Sequence, residues 1–161
     1  MDHVVYLALG SNMGNRLANL KNAISNLTPQ MEVEEKSPVY ETPPWGHDDQ
    51  PAFLNQVVKV ETYMQPEAML GHLKRLEVVL GRKPTFRNGP REIDIDILFY
   101  DDLVLNTSAL VIPHPRLHQR AFVLVPLNDI APNLVHPVLN KPVSELLLDV
   151  DRLNIVEYKG K

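Results

Sequence analysis

Residues 92–99 read EIDIDILF, and the strict alternation of Ile93, Ile95 and Ile97 with Glu92, Asp94 and Asp96 predicts a half-buried β-strand. Successive strand side chains point to opposite faces, so the isoleucines share one face and the acids the other. Immediately upstream, residues 81–91 read GRKPTFRNGPR, a loop by its Pro84, Gly89 and Pro90, with Arg82, Lys83, Arg87 and Arg91 and no acid. Further back, Met69, Leu73, Leu76 and Leu80 recur at helical spacing, which predicts a helix opening at Pro66 and stopping at Gly81. Before that helix, residues 56–63 (QVVKVETY) set Val58 and Val60 against Lys59 and Glu61 and predict another strand.

The first third of the chain also alternates strand and helix signals, without an internal repeat. Residues 3–9 (HVVYLAL) predict a strand, and Gly10, Ser11, Asn12 and Gly14 read as a turn, with Asn12 and Gly14 as cap and turn residues. Leu17, Leu20, Ile24 and Leu27 predict a helix, and residues 31–41 (MEVEEKSPVYE) a strand. The order β, α, β, β, α, β is that of an α+β, ferredoxin-like antiparallel sheet (split βαβ) with helices packed on one face. Extra C-terminal elements follow: a short hairpin around LVLN, the loop VIPHPRLHQR, a short helix over AFVLVPLNDI and a turn at SELLLDV. Residues 1–161 are expected to form one domain.

Composition narrows the function. The 161 residues are 44% hydrophobic and contain no cysteine, which excludes disulfides, thiolate zinc sites and cysteine nucleophiles and permits a reducing compartment. No apolar run reaches the roughly 18 residues of a spanning helix, and the N-terminus lacks a basic flank and a signal-type cleavage site. A cytoplasmic protein without membrane contact is expected. The net charge of −4 argues against a general nucleic-acid binder. Its distribution says more, because residues 81–91 carry +4 and leave −8 for the rest. A compact basic loop on an acidic body suggests a small anionic ligand. Of the 14 prolines, Pro43, Pro44, Pro51, Pro84, Pro90, Pro113 and Pro115 fall in three loops and stiffen them.

Asp94 and Asp96 are the most informative pair. Two apart on a strand, their Cα atoms lie about 6 to 7 Å apart on one face, where two carboxylates can hold Mg²⁺ that bridges phosphate oxygens. A solvent-facing pair on an ordinary strand is the plain alternative, but the basic loop ends three residues upstream and favours the metal and phosphate reading. Arg82 and Arg91 offer planar forks that match phosphate oxygens; Lys83 and Arg87 are weaker candidates. Glu77, beside the apolar stripe of its helix, either orients Arg82 or marks the helix boundary. His114 and His118 are four apart, yet Pro113 and Pro115 disfavour a helical metal site there, so His114 is read as a phosphate hydrogen-bond donor or a surface histidine. Trp45, Phe53 and Phe122 are candidates for stacking on a flat ring, with core packing as the alternative. Asn55 offers a donor and an acceptor to a heterocycle edge, or caps the next strand. There is neither a Walker loop nor a dinucleotide fingerprint.

The segments ALGSN (8–12), YETPPWG (40–46), QPAFLN (50–55), GPREIDIDILFY (89–100) and IPHPRLHQRAFVLVPL (112–127) together resemble the 6-hydroxymethyl-7,8-dihydropterin pyrophosphokinases of folate biosynthesis, over nearly the whole chain. The resemblance implies transfer of the pyrophosphoryl group of ATP to the pterin hydroxymethyl oxygen, with release of AMP. It implies two Mg²⁺ ions on Asp94 and Asp96, with Arg82 and Arg91 joining them in catalysis. Glu77, Arg82, Arg91, Ile97, His114 and Arg120 would contact ATP. Thr42, Pro43, Trp45, Phe53, Asn55 and Phe122 would hold the pterin, the two phenylalanines as a sandwich. The chain departs from many family members in reading Arg87, Asn88, Gly89, Pro90, Arg91 where those carry a tryptophan after the first arginine, in a loop that looks one residue shorter, and in having Pro115 where some carry tyrosine. The expected partners are the two small-molecule substrates, with no nucleic acid and no membrane, and the expected state is a monomer with a weak dimer as the alternative. Two rival classes are a Mg²⁺-dependent nucleotidyltransferase, which would place a Gly-Ser pair just before Asp-x-Asp, and a ferredoxin-like RNA-binding module, which would need closely spaced strand aromatics.

Overall fold

The computed structural model describes residues 2–44, 49–81 and 90–160. Strand β1 (His3–Ser11) leads into helix α1 (Arg16–Ser25), followed by β2 (Met31–Lys36), β3 (Tyr40–Thr42), β4 (Phe53–Thr62), helix α2 (Pro66–Val79) and β5 (Asp94–Tyr100). A two-stranded sheet of β6 (Leu105–Asn106) and β7 (Val111–Ile112) comes next, then a 3-10 turn at Leu117–Gln119, α3 (Ala121–Ile130), α4 (Val143–Leu147) and β8 (Val156–Glu157). The main sheet runs β5-β1-β4-β3-β8, with β2 also on β4, and the pairings are antiparallel. This is the split βαβ sheet expected from the sequence.

Local chemistry sets the helix ends. Asn15 caps α1, its Oδ1 accepting the backbone N–H of Ala18 at 3.1 Å. Pro66 occupies the first turn of α2, where no N–H is missed. Gly81, at φ +103°, turns the chain out of that helix in a region other residues enter only with strain. The stretch expected as one strand over 31–41 is two, because Ser37 and Pro38 interrupt it. Ser37 stays tied to β4, exchanging bonds with Val57 through its N–H (2.9 Å) and its Oγ (2.9 Å).

The sheet is covered on both faces, not one. Val5, Leu7 and Leu9 of β1, Leu54, Val58 and Val60 of β4 and Ile93, Ile95 and Ile97 pack with Leu20 of α1 and Met69 and Leu73 of α2. Each fully buried side chain of this kind contributes roughly 1.5 to 3 kcal/mol. On the other face Tyr6, Val57, Leu98 and Phe99 meet Val123, Leu124 and Leu127 of α3 and Leu146 and Leu147 of α4. Strand β5 is accordingly half-buried only at its start, and from Ile97 to Tyr100 it is buried throughout. A register shift against β1 lies at this point: Tyr6 pairs with Phe99 but Leu7 with Ile97, so Leu98 is the extra residue of a β-bulge. The bulge turns both Leu98 and Phe99 towards α3.

Candidate active site

Three neighbouring strands bring the polar residues into register. Gly10 of β1 lies opposite Asn55 of β4 and opposite Asp94 of β5; two residues back, Ala8 lies between Val57 and Asp96. Paired residues share a face of the sheet, so Asn55, Asp94 and Asp96 project to the side that α3 covers further along. A pocket opens where that apolar packing stops, with Gly10 as its floor, Phe53 and Phe122 among its apolar walls and Asp94, Asp96 and His114 among its polar ones.

The two halves of the pocket differ in chemistry. On the apolar half, Asn55 Nδ2 donates to Thr42 Oγ1 at 2.6 Å, which fixes the amide beside the Phe53 ring. Pro43 and Phe122 complete this half. Gly10 is read from sequence as turn punctuation, but it lies inside β1. A Cβ there would stand 3.2 Å from Asn55 Oδ1 and 3.6 Å from the Phe53 ring, so glycine is what allows both side chains to lie over the strand.

On the charged half, Arg91 reaches Asp94 at 3.4 Å. Burial and the neighbouring Asp94 carboxylate push the Asp96 carboxyl up to about 7. Arg120 also lines the pocket, its guanidinium 5.5 Å from the Phe122 ring centre. The backbone N–H of His114 donates to the carbonyl of the bulge residue Leu98 at 3.0 Å, so the bulge anchors the loop carrying the histidine. Burial, reinforced by Arg120, lowers His114 to about 4, which makes the ring neutral at pH 7. Its Nδ1 accepts the backbone N–H of Arg116 at 3.2 Å, which leaves the ring proton on Nε2.

Of the residues singled out from sequence, Thr42, Pro43, Phe53, Asn55, Arg91, Asp94, Asp96, His114, Arg120 and Phe122 line this one pocket. Trp45, Arg82, Lys83 and Arg87 lie outside the described residues. The side chain of Ile97 sits in the core on the opposite face, leaving its backbone to any ligand contact. Glu77 is buried, and its Oε2 accepts the backbone N–H of Ile95 at 2.7 Å, between the two aspartates, with Lys74 Nζ at 3.4 Å. Asn12 is not a helix cap, since Asn15 fills that role; Asn12 is buried and bonds across to Arg91. Sequence reasoning missed Gly10 as a pocket residue, although a glycine following an apolar strand run is a signal of close approach.

Asp94 and Asp96 suit a hard cation. Their donors are carboxylate oxygens, and Asp96 is raised by burial and then by the neighbouring Asp94 carboxylate, a cost of charge that a divalent ion would relieve. Among the described residues no group of three ligating side chains forms. Two carboxylates, with the remaining positions left to phosphate and water, is how Mg²⁺ is commonly held beside nucleotides.

Fold and site together describe an α+β protein whose pocket sets an apolar half, walled by Phe53 and Phe122, beside a carboxylate pair. The sequence profile described as 7,8-dihydro-6-hydroxymethylpterin-pyrophosphokinase matches residues 6–132. A 2-amino-4-hydroxy-6-hydroxymethyldihydropteridine pyrophosphokinase of Aquifex aeolicus is 47% identical over 141 residues, 88% of either chain. The enzyme of the same description from Bacillus subtilis is 40% identical over 132 residues, 81% of this chain and 79% of that one. A folic acid synthesis protein of Dictyostelium discoideum is 42% identical over 149 residues, and the match spans 92% of this chain but only 23% of that longer protein. The fold is shared with a Plasmodium falciparum HPPK-DHPS chain, at a TM-score of 0.75 and 20% identity, over 91% of this chain and 43% of that one. The chain belongs to the 7,8-dihydro-6-hydroxymethylpterin-pyrophosphokinase family and is a diphosphokinase enzyme.

Proposed function

We propose that this chain, as one domain over residues 1–161, transfers the β,γ-pyrophosphoryl group of ATP to the hydroxymethyl oxygen of 6-hydroxymethyl-7,8-dihydropterin, releasing AMP. The observation that carries the reading is the register of Asn55, Gly10 and Asp94 across three strands, with Asp96 two residues further along β5 on the same face. It sets a slot for a flat heterocycle against a pair of carboxylates.

The pterin ring lies between Phe53 and Phe122, a stacking worth roughly 1 to 3 kcal/mol per ring. Thr42 and Pro43 close its edge together with Asn55, whose amide matches a pterin's donors and acceptors, and Trp45 is assigned to the pterin by the family resemblance alone. Asp94 and Asp96 hold two Mg²⁺ ions, which when bound neutralise triphosphate charge and act as Lewis acids. Arg82, Arg91 and Arg120 take up negative charge on the phosphates as the bond to the leaving AMP lengthens. Neutral His114 donates its Nε2–H to a phosphate oxygen, a role for which an acceptor already occupied at Nδ1 prepares it. Glu77 is placed to serve the ATP half by fixing the strand between the aspartates, and Ile97 by its backbone. The hydroxymethyl oxygen attacks the β-phosphorus and gives up its proton to water, and the bond from that phosphorus to the α–β bridging oxygen breaks with its electron pair leaving on AMP. A loose transition state asks the protein mainly for positioning and charge neutralisation. Among the described residues no helix is long and apolar enough to cross a membrane. The reading places the reaction in the cytoplasm, on small-molecule substrates, with a monomer as the functional unit.

The test is chromatography of the purified protein with ATP and Mg²⁺, with and without the hydroxymethyldihydropterin. AMP is expected only when the pterin is present. Its absence from the complete mixture overturns the proposal.

A further inference from the structure

Asn12 takes no part in the chemistry above, yet its hydrogen bonds join the two halves of the site. It is 1% exposed and directly follows β1. Its backbone N–H donates to the carbonyl of Arg91 at 3.1 Å, and its Oδ1 accepts the backbone N–H of Arg91 at 2.8 Å. Its Nδ2 donates to Gln50 Oε1 at 2.8 Å and to the Pro51 carbonyl at 3.0 Å. The amide orientation is unambiguous, because a backbone N–H can only donate and a carbonyl can only accept. Two segments far apart in sequence thus converge on one side chain. One ends at Arg91, which reaches Asp94. The other stops two residues before Phe53, the apolar wall of the slot.

The side chain is specified by this double duty. Aspartate would keep the acceptor for Arg91 but face the Pro51 carbonyl with an oxygen, and leucine would fill the space while removing the side-chain bonds to the Arg91 N–H, Gln50 and the Pro51 carbonyl. A purely local purpose is also missing, since the cap of α1 is supplied by Asn15.

Resting on the pyrophosphokinase reading, we propose that Asn12 is a positioning residue that couples the polyphosphate side of the site to the ring side. With Arg91 held by the ligand on one side, Asn12 holds Gln50 and Pro51, and with them the approach to Phe53, in the arrangement the second ligand needs. Each ligand then raises the affinity of the other by the same factor, as thermodynamic linkage requires.

The experiment is calorimetric titration of the hydroxymethyldihydropterin into the protein with Mg²⁺, in the presence and absence of α,β-methylene-ATP, whose bridging carbon resists the cleavage proposed. It is run on wild type, Asn12→Asp, Gln50→Ala and Asn15→Ala. In wild type the analogue is expected to tighten pterin binding by about tenfold or more, within the usual range of coupled sites. In Asn12→Asp each ligand alone is expected to bind within about threefold of wild type while the mutual factor drops to within about twofold of unity, so that the pterin KM at saturating ATP rises more than kcat falls. Gln50→Ala, which loses a single bond of the four, should lose part of the factor and serves if the buried variant does not fold. Asn15→Ala, which weakens α1 but touches neither segment, should keep it. A wild-type factor in both Asn12→Asp and Gln50→Ala, or an equal loss in Asn15→Ala, overturns this inference alone. Failure of wild type to bind either ligand overturns the pyrophosphokinase reading and the inference with it.

Discussion

Asp96 pays for its function in stability. Its carboxyl holds a proton up to about 7 in the folded protein because of burial and Asp94, whereas in the unfolded chain it would ionise near an ordinary aspartate's value of about 3.9. Between those values the folded state binds more protons than the unfolded one, so this group's contribution to stability falls as pH rises from about 4 to about 7. Asp96→Asn removes the conflict. Metal-free Asp96→Asn is expected to melt several degrees above metal-free wild type at pH 8, at about 3 °C per kcal/mol relieved for a chain of this size, and to match it near pH 4. Its turnover should drop by more than the roughly 10² to 10³ of a single lost electrostatic contact, because a proposed metal ligand goes with it. Thermal melts at the two pH values check the first half; equal melting temperatures at pH 8 would contradict the repulsion. At Gly10 the argument is steric. A methyl 3.2 Å from Asn55 Oδ1 is closer than ordinary contact, so Gly10→Ala should raise the pterin KM about tenfold or more, with the ATP KM within about twofold, as differential loss of ring binding predicts. Steady-state kinetics with either substrate varied measures both.

At the scale of elements, the site depends on α2 and on the bulge in β5. Glu77 of α2 accepts the Ile95 N–H between the aspartates. Glu77→Ala strands a buried donor, a loss of about 1 to 3 kcal/mol in chemical denaturation, and should lower kcat by loosening the strand that carries Asp94 and Asp96. Glu77→Gln keeps an acceptor and should recover most of the stability; if it is as unstable as the alanine variant, the bond to Ile95 is not what the carboxylate supplies. The same scale shows what a sequence discloses. The alternation in EIDIDILF was readable because period two needs no partner strand, and the helix repeat before Gly81 was readable for the same reason. The bulge at Leu98 was not, because a bulge exists only relative to the strand opposite. Gly10 and Ser11 looked like a turn from their local preferences, but pairing of Gly10 with Asn55 and of Ser11 with Leu54 extends β1 through both. Asn12 looked like a cap for the same local reason, and its partners are distant residues that only the fold brings near.

For the whole molecule, the second layer was the part sequence pattern concealed. The expected single helical face is joined by α3 and α4 on the other, and the place where their packing ends is where the pocket begins. Of the loops that charge and proline placement indicate, Pro43, Arg91 and His114 reach that opening, while Arg82, Lys83 and Arg87 lie outside the described residues. The chemistry assigned to it is a transfer of two phosphoryl units at once, which one ³¹P NMR experiment can follow. With ATP, Mg²⁺ and the hydroxymethyldihydropterin, loss of the three ATP resonances should be matched by free AMP and a diphosphate monoester on the pterin. Appearance of ADP with a pterin monophosphate, or of inorganic pyrophosphate with AMP joined to the acceptor, would contradict the account.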